Sequence, residues 1–409
     1  MAEHVKCFHL DPYGTYKSLR GALGSPRFWA GRGQAARTKP GLAPSSSAAA
    51  MEGRSMANKA LIDGTPAVQS HAVSVGSELN ECGERELRLE PNYSERLSLI
   101  VCTRNRLPQL KTSLGGILQL RCRAPWQLIV VDNGSTDGTW SWLRSLAPPR
   151  GVAFETLQEP TPGKSRALNA GVRVARGEIL AFTDDDCYPT RSYLNDLLDV
   201  FASPEIDYCG GRVLLYDSTA LPLSLVKSGR PRLFPPKTFM PAGAIGGNNM
   251  AFRRRVLETT GPFDVLLGVG SVTRSGEDTD LIFRASWCGF TGLYAPEPTV
   301  VHQHLSTTQF EFARVMRAYD LGRGAYYIKH VLRKPTRLLV GKSWWVTWYW
   351  EGQGSQVVRH RRLLREVQGA LIYLWHDRVL GRRQRGVAVR WIRRRLRVNR
   401  STKEVQPES

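Results

Sequence analysis

Residues 178–186 read EILAFTDDD, an apolar run that stops in three adjacent carboxylates. Ile179, Leu180, Ala181 and Phe182 are continuous in their hydrophobicity, as a strand covered on both faces requires. Neighbouring carboxylates repel one another and resist burial, so the end of this strand must meet solvent or cations. Carboxylates at i and i+2 lie on one side of a strand end and can clamp a hard divalent cation, which in turn neutralises a diphosphate. Taken alone, Asp184, Asp185 and Asp186 also read as a solvated acidic turn or as the start of a helix through RSYLNDLL.

Three similar runs precede it: LSLIVC (97–102), QLIVVDN (127–133) and VAFETL (152–157). Between them lie a helical stretch around 107–119, a turn into a helix at GSTDGTWSWL (134–143) and the helical GKSRALNAGVRVA (163–175). This β-α-β-α-β-α-β order predicts a mostly parallel sheet with helices on both faces. Ligands of such sheets bind outside the carboxyl ends of the strands. The residues that end the strands are therefore candidates: Cys102–Arg106, Asp132–Ser135 and Asp184–Asp186. Further strands are expected at 206–216 and 244–254, flanking a Pro-rich basic loop at 230–243. A helix over 279–289 is closed by Gly289, and another spans about 308–330.

Two other clusters bear chemistry. Gly276-Glu277-Asp278-Thr279-Asp280 opens the helix at 279, where a carboxylate suits a general base or a plain helix cap. His302-Gln303-His304 follows the strand-like PTVVH, where imidazole can complete a metal site with carboxylates or serve the packing alone. Lys164 and Arg166 near a helix start could meet phosphate.

The order T-R-N-R, V-V-D-N-G-S-T-D, G-K-S-R-A-L-N-A-G, F-T-D-D-D, G-N-N-M-A-F-R-R, G-x-F-D, G-E-D-T-D-L and V-x-H-x-H, spread over about 97–304, resembles family 2 glycosyltransferases. The resemblance implies an α/β fold of GT-A type: a mostly parallel sheet flanked by helices, with a Rossmann-like nucleotide-binding half and an acceptor half. It implies an inverting transfer from a nucleotide-diphosphate sugar (UDP-, dTDP- or GDP-linked) to an acceptor hydroxyl on a lipid-linked or polymeric molecule, as in cell-surface polysaccharide or glycolipid synthesis, or on a small metabolite. Carried over residue by residue, Thr103, Arg104 and Asn105 frame the nucleotide base, although the commoner family form has Tyr where Arg104 stands. Asp132 accepts a hydrogen bond from the base, and Lys164 and Arg166 lie near ribose and phosphates. Asp184, Asp185 and Asp186 form the D-x-D region. Within it Asp186 is the direct ligand of Mn2+ or Mg2+, Asp184 holds ribose or metal, and His302 joins them on the metal side. Asn248 and Asn249 line the sugar and acceptor floor. Asp278 is the catalytic base, with Glu277 supporting it.

Composition restricts the alternatives. The 409 residues suggest two to three domains and carry 57 Lys and Arg against 36 Asp and Glu, a net charge of +21. Such basicity first suggests nucleic acid, an anionic membrane or a phosphorylated substrate. Its distribution is uneven: +1 over 1–95, +4 over 96–310 and +16 over 311–409. The expected organisation follows that division: a mostly disordered extension over 1–95, rich in Gly, Ser and Ala, the α/β domain over 96–310, and a basic, aromatic-rich helical extension over 311–409. Seven cysteines without a C-x-x-C pair argue against a zinc ribbon or a disulfide framework. With no apolar leader segment and no membrane-spanning run, a cytoplasmic setting is expected, peripheral on the inner face of the membrane if the tail binds lipid.

That tail holds KSWWVTWYW (342–350) and then apolar residues at helical spacing (Val357, Leu364, Val367, Leu371, Leu374) beside an arginine-rich face. It fits an interfacial anchor on anionic lipid, or a helical subdomain with its basic face in water. A nucleotidyltransferase would share the sheet and the D-x-D but not the G-E-D helix or the G-N-N strand. A nucleic-acid-binding protein would explain RWIRRRLRVNR (390–400), but the chain has no helix-turn-helix, zinc-finger or RNP signature.

Overall fold

The run at 97–102 forms the strand Glu95–Thr103 (β1), and its side chains alternate between two cores. Leu97, Leu99 and Val101 enter one, and Ile100 enters the other. The computed structural model describes residues 95–147, 151–217, 220–304, 308–350 and 360–379, together with a short antiparallel pair, His9–Leu10 and Tyr16–Lys17. The rest of the expected N-terminal extension, Val357 and the arginine run at 390–400 lie outside the described residues.

After β1 come the helix Leu107–Ile117 (α1), strand Trp126–Asp132 (β2), helix Thr139–Ser145 (α2), strand Ala153–Gln158 (β3), helix Lys164–Val174 (α3) and strand Gly177–Asp184 (β4). Then follow strand Cys187–Pro189 (β5), helix Tyr193–Val200 (α4), strands Tyr208–Leu215 (β6), Arg232–Phe234 (β7) and Asn249–Arg253 (β8), and helices Arg254–Thr260 (α5) and Glu277–Trp287 (α6). Strand Gly292–His302 (β9) and helices Gln309–Val331 (α7) and Arg337–Trp350 (α8) complete the named elements, and residues 360–379 are helical.

The sheet order is β3-β2-β1-β4-β8-β6-β9-β5, with β7 added on β9. β1 pairs in parallel with β2 and β4, β2 with β3, and β6 with β9. β8 runs antiparallel between β4 and β6. The expected mostly parallel α/β sheet is thus present. One core packs Leu110, Leu114 and Ile117 of α1 and Leu194 and Leu197 of α4 against the sheet. The other packs Leu168 of α3, Leu281 and Phe283 of α6, and Tyr326 and Tyr327 of α7. Each such fully buried side chain contributes ~1.5–3 kcal/mol.

The differences from the expected boundaries have local causes. The strand foreseen at 244–254 begins only at Asn249, because Gly246 and Gly247 turn the chain towards α6. It ends at Arg253, and α5 follows without a loop. The arginines at 253–255 tie this corner together. Arg253 donates to the carbonyls of Phe201, Ser203 and Ile206, Arg254 to those of Ala175 and Gly177, and Arg255 to Asp207. β5 and β7 are three-residue edge strands without a usable period. α6 starts at Glu277, two residues before the expected start.

The C-terminal helices share the domain's core, and the helix at 360–379 turns its apolar stripe outward, unlike the packed subdomain with its basic face in water. Its inward positions are Glu366, Gly369, Ala370 and Tyr373. Glu366 accepts from Arg323 at 2.7 Å and from the Trp344 indole at 2.8 Å. Arg365 reaches Asp320 at 3.3 Å. A Cβ on Gly369 would sit 1.9 Å from the Leu321 carbonyl oxygen, and one on Gly324 1.8 Å from that of Glu366, so the two helices touch backbone to backbone. The arginines at 362 and 365 therefore serve ion pairs with carboxylates, while Leu364, Leu371 and Trp375 face outward.

α6 is joined to α7 by a buried charge cluster. Asp280 is fully buried and meets Arg284 at 2.9 Å, Lys329 at 2.8 Å and His330 at 2.9 Å. Burial alone would push its carboxyl up, but Lys329, Arg284 and the His330 hydrogen bond hold it well below the usual carboxylate range. An acid depressed by folding stabilises the native state above its unfolded value, and that stability is lost as pH falls through the folded one. Asp280→Asn leaves Arg284 without its counter-charge and Lys329 with Asp264 alone, and is expected to cost ~3–5 kcal/mol, read as a lower urea midpoint. The wild-type protein is expected to lose stability as pH drops below about 4, and the variant to lose less over the same range.

Candidate active site

The parallel strands bring their carboxyl ends to one edge. Thr103 of β1 pairs with Asp132 of β2, and Cys102 with Asp184 of β4. β8 enters at that edge, with Asn249 opposite Thr183, and β9 leaves there at His302, opposite Cys187 of β5. Sequence-distant residues thus meet because they occupy equivalent ends of neighbouring strands.

The three consecutive carboxylates are separated by what holds each one. Asp184 accepts from Lys164 Nζ at 2.5 Å. Asp185 turns to β1, accepting from Thr103 Oγ1 at 2.7 Å and lying 3.0 Å from Arg106 Nη1. Asp186 meets Arg106 Nη2 at 2.7 Å and His302 Nε2 at 3.4 Å. Its backbone carbonyl accepts from Gln303 N at 2.8 Å, which fixes it to the end of β9. Burial pushes Asp185 up to about 7, against the pull of Arg106. Burial would also raise Asp186, but its hydrogen bond with His302 and the charges of His302 and Arg106 bring it below the usual range.

Lys164 connects the triplet to α6, since it also lies 3.9 Å from Glu277 Oε1. Burial would lower its pKa, but Asp184 and Glu277 outweigh that and hold it above the usual lysine range, so it stays charged. Burial, with Asp278 beside it, raises Glu277 to about 7. Asp278 is fixed by two backbone donors, Thr279 N at 2.6 Å on Oδ1 and Gly247 N at 3.0 Å on Oδ2. A Cβ at position 247 would lie 2.9 Å from Asp278 Oδ2, so this approach needs glycine. Asn248, next in the chain, is buried with both side-chain polar atoms unpaired. A buried amide left unpaired is costly, which fits a group that awaits a ligand.

Asp186, Cys187 and His302 bring donor atoms within 4.8 Å of one another. Burial pushes the Cys187 thiol far up, so it stays protonated and is a poor ligand. The carboxylate and imidazole that remain suit a hard divalent cation such as Mn2+ or Mg2+. The Nδ1 of His302 and both ring nitrogens of His304 are buried without partners, and the two rings meet edge to face at 5.2 Å. This polar capacity fits a bound ion.

The other expected site residues divide into two groups. Asp132 is buried and accepts from Ser135 N at 3.1 Å and Gln158 Nε2 at 3.3 Å. Asn105, at a φ of 53°, accepts from Thr136 N at 2.7 Å and joins the first two strand-end loops. Arg104 is exposed, and Arg166 is half-buried in the first turn of α3. Two more are held by partners of their own. Asp184 lies on Lys164, outside the Asp186–His302 cluster. Asn249 turns into the scaffold, its amide donating to the carbonyls of Arg212 and Pro298 at 2.9 Å each and its oxygen accepting from Tyr193 at 3.2 Å. The sequence assigns no individual role to Arg106 or His304, although each stands inside a quoted motif, T-R-N-R and V-x-H-x-H.

The chain is similar to known glycosyltransferases. Residues 98–261 match the family model described as Glycosyl transferase family 2. The glycosyltransferase AglE of Haloferax volcanii is 23% identical over 252 residues, covering 61% of this chain and 79% of that protein. The pre-mycofactocin glycosyltransferase of Mycobacterium tuberculosis is 27% identical over 241 residues, 53% of this chain and 45% of its own length, so the chain spans under half of that relative. Among solved structures, the mannosyltransferase PcManGT from Pyrobaculum calidifontis in complex with GDP-Man and Mn2+ superposes with a TM-score of 0.48 at 20% identity, over 73% of this chain and 81% of that one. The matched segment holds the strands whose ends carry Thr103, Asp132 and Asp184–Asp186, and residues 98–261 form a family 2 glycosyltransferase domain.

Proposed function

We propose that the chain transfers a sugar from a nucleotide-diphosphate donor to an acceptor hydroxyl by direct displacement, with inversion at the anomeric carbon. The observation that carries this reading is Asp278: two backbone amides and the Thr279 hydroxyl fix its carboxylate at the start of α6, and Oδ2, held by Gly247 N alone, keeps a lone pair. As the acceptor oxygen attacks the anomeric carbon, Asp278 takes its proton, and the electron pair of the broken carbon–oxygen bond leaves on the diphosphate. Glu277, raised to about 7 beside it, sets the local charge together with Lys164.

In this proposal the base end of the donor, a UDP, dTDP or GDP sugar, lies against Thr103, Arg104, Asn105 and Asp132. Lys164 and Arg166 face ribose and phosphates near Asp184 and Asp185. The unpaired amide of Asn248 takes a sugar hydroxyl. Asp186 and His302 would hold a divalent cation, Mn2+ or Mg2+, which supplies Lewis-acid stabilisation of the leaving diphosphate. The acceptor hydroxyl belongs to a lipid-linked or polymeric molecule, in the synthesis of cell-surface polysaccharide or glycolipid. The glycosyltransferase relatives support the transfer itself.

Two experiments test this reading. Asp278→Asn is expected to lower transfer by ~10²–10⁴-fold while calorimetric donor binding stays near wild type. Loss of donor binding at this position would remove the base role. EDTA is expected to abolish transfer and added Mn2+ or Mg2+ to restore it. Full turnover in chelator would take the cation out of the reaction.

A further inference from the structure

The helix at 360–379 presents an apolar face to solvent. Leu364, Val367, Leu371, Trp375 and Val379 are 68, 41, 62, 70 and 58% exposed. At ~100° per residue they lie on one side, opposite the inward Glu366, Gly369, Ala370 and Tyr373. The exposed Arg361 and Arg378 lie at the two ends of this stripe. The orientation is not free to reverse. Gly324 and Gly369 allow the backbone contact with α7, Glu366 is tied to Arg323 and the Trp344 indole, and Tyr373 donates to Asp264 at 2.9 Å. Turning the stripe inward would bury the arginines and strip Glu366 of its partners.

A helix whose apolar side faces outward between cations fits the interface of an anionic bilayer, where Leu and Trp enter the headgroup zone and Arg meets lipid phosphate. The net charge of +16 over 311–409 has the matching sign. No described helix is long and apolar enough to cross a membrane, so the contact is with the surface. We propose that the outward face of helix 360–379 docks the enzyme on anionic phospholipid.

The test is co-sedimentation of the full chain with phosphatidylcholine vesicles, with and without phosphatidylglycerol. The wild type is expected to pellet with the anionic vesicles and to remain largely in solution with phosphatidylcholine alone. Leu371→Ser combined with Trp375→Ser should weaken vesicle binding by about tenfold or more, while calorimetric donor binding is unchanged. Trp375→Phe should keep binding but lose part of the fluorescence quenching by brominated lipid, so the proposal stays testable if the double variant folds poorly. Wild-type sedimentation by the double variant would overturn the proposal, as would equal binding to both vesicle types. So would a dimer in analytical ultracentrifugation that the double variant dissolves, which would assign the face to a second copy, or loss of vesicle binding to competing duplex DNA.

Discussion

Three carboxyl groups on successive residues form an arrangement that a folded chain holds with a basic side chain near each of them. At 184–186 the strand end splays them, and Lys164, Arg106 and His302 each approach from a different element. Lys164 comes from α3, Arg106 from the loop after β1, and His302 from the last residue of β9. The sheet order that brings these elements together is therefore also what makes the acidic cluster tolerable. The same clustering of charge creates a place where a diphosphate and a cation could displace or complement the protein's own partners.

α6 carries acids with opposite duties along little more than one turn. Glu277 and Asp278 lie by Lys164 and Gly247, at the edge where the strands end. Asp280 points into the domain and is neutralised by Arg284, Lys329 and His330. Lys329 also meets Asp264 at 2.7 Å, and Asp264 accepts from Tyr373 of the terminal helix. The element that positions the proposed base is thus anchored through the same charges that hold the C-terminal helices.

Much of this was legible in the sequence, for a physical reason. Buried parallel strands are continuous apolar runs, so LSLIVC, QLIVVDN and EILAFTD stand out, and the rule that ligands gather at carboxyl ends then identifies Asp132 and Asp184. The short edge strands β5 and β7 were not legible, because three residues carry no period. Side-chain direction was not legible either. The spacing of Leu364, Leu371 and Trp375 announced an amphipathic helix, but which side faced inward depended on Gly324 and Gly369, whose role appears only when two backbones touch. Arg106 stood among the strand-end candidates without a role of its own, and its work is visible only beside Asp185 and Asp186.

Asn248 and Asn249 show how neighbouring, chemically identical residues come under different constraints. The Asn249 amide spans two strands, giving its hydrogens to a carbonyl on β6 and one on β9, where the pairing of those strands is irregular between Tyr294 and Thr299. It acts as a borrowed piece of main chain that closes a gap in the ladder. Conversion to aspartate would set a carboxylate against two carbonyl oxygens, so slow chemical deamidation at this one position would open the sheet from within. The same conversion at Asn248 meets no such carbonyl pair and would be felt at the ligand side instead.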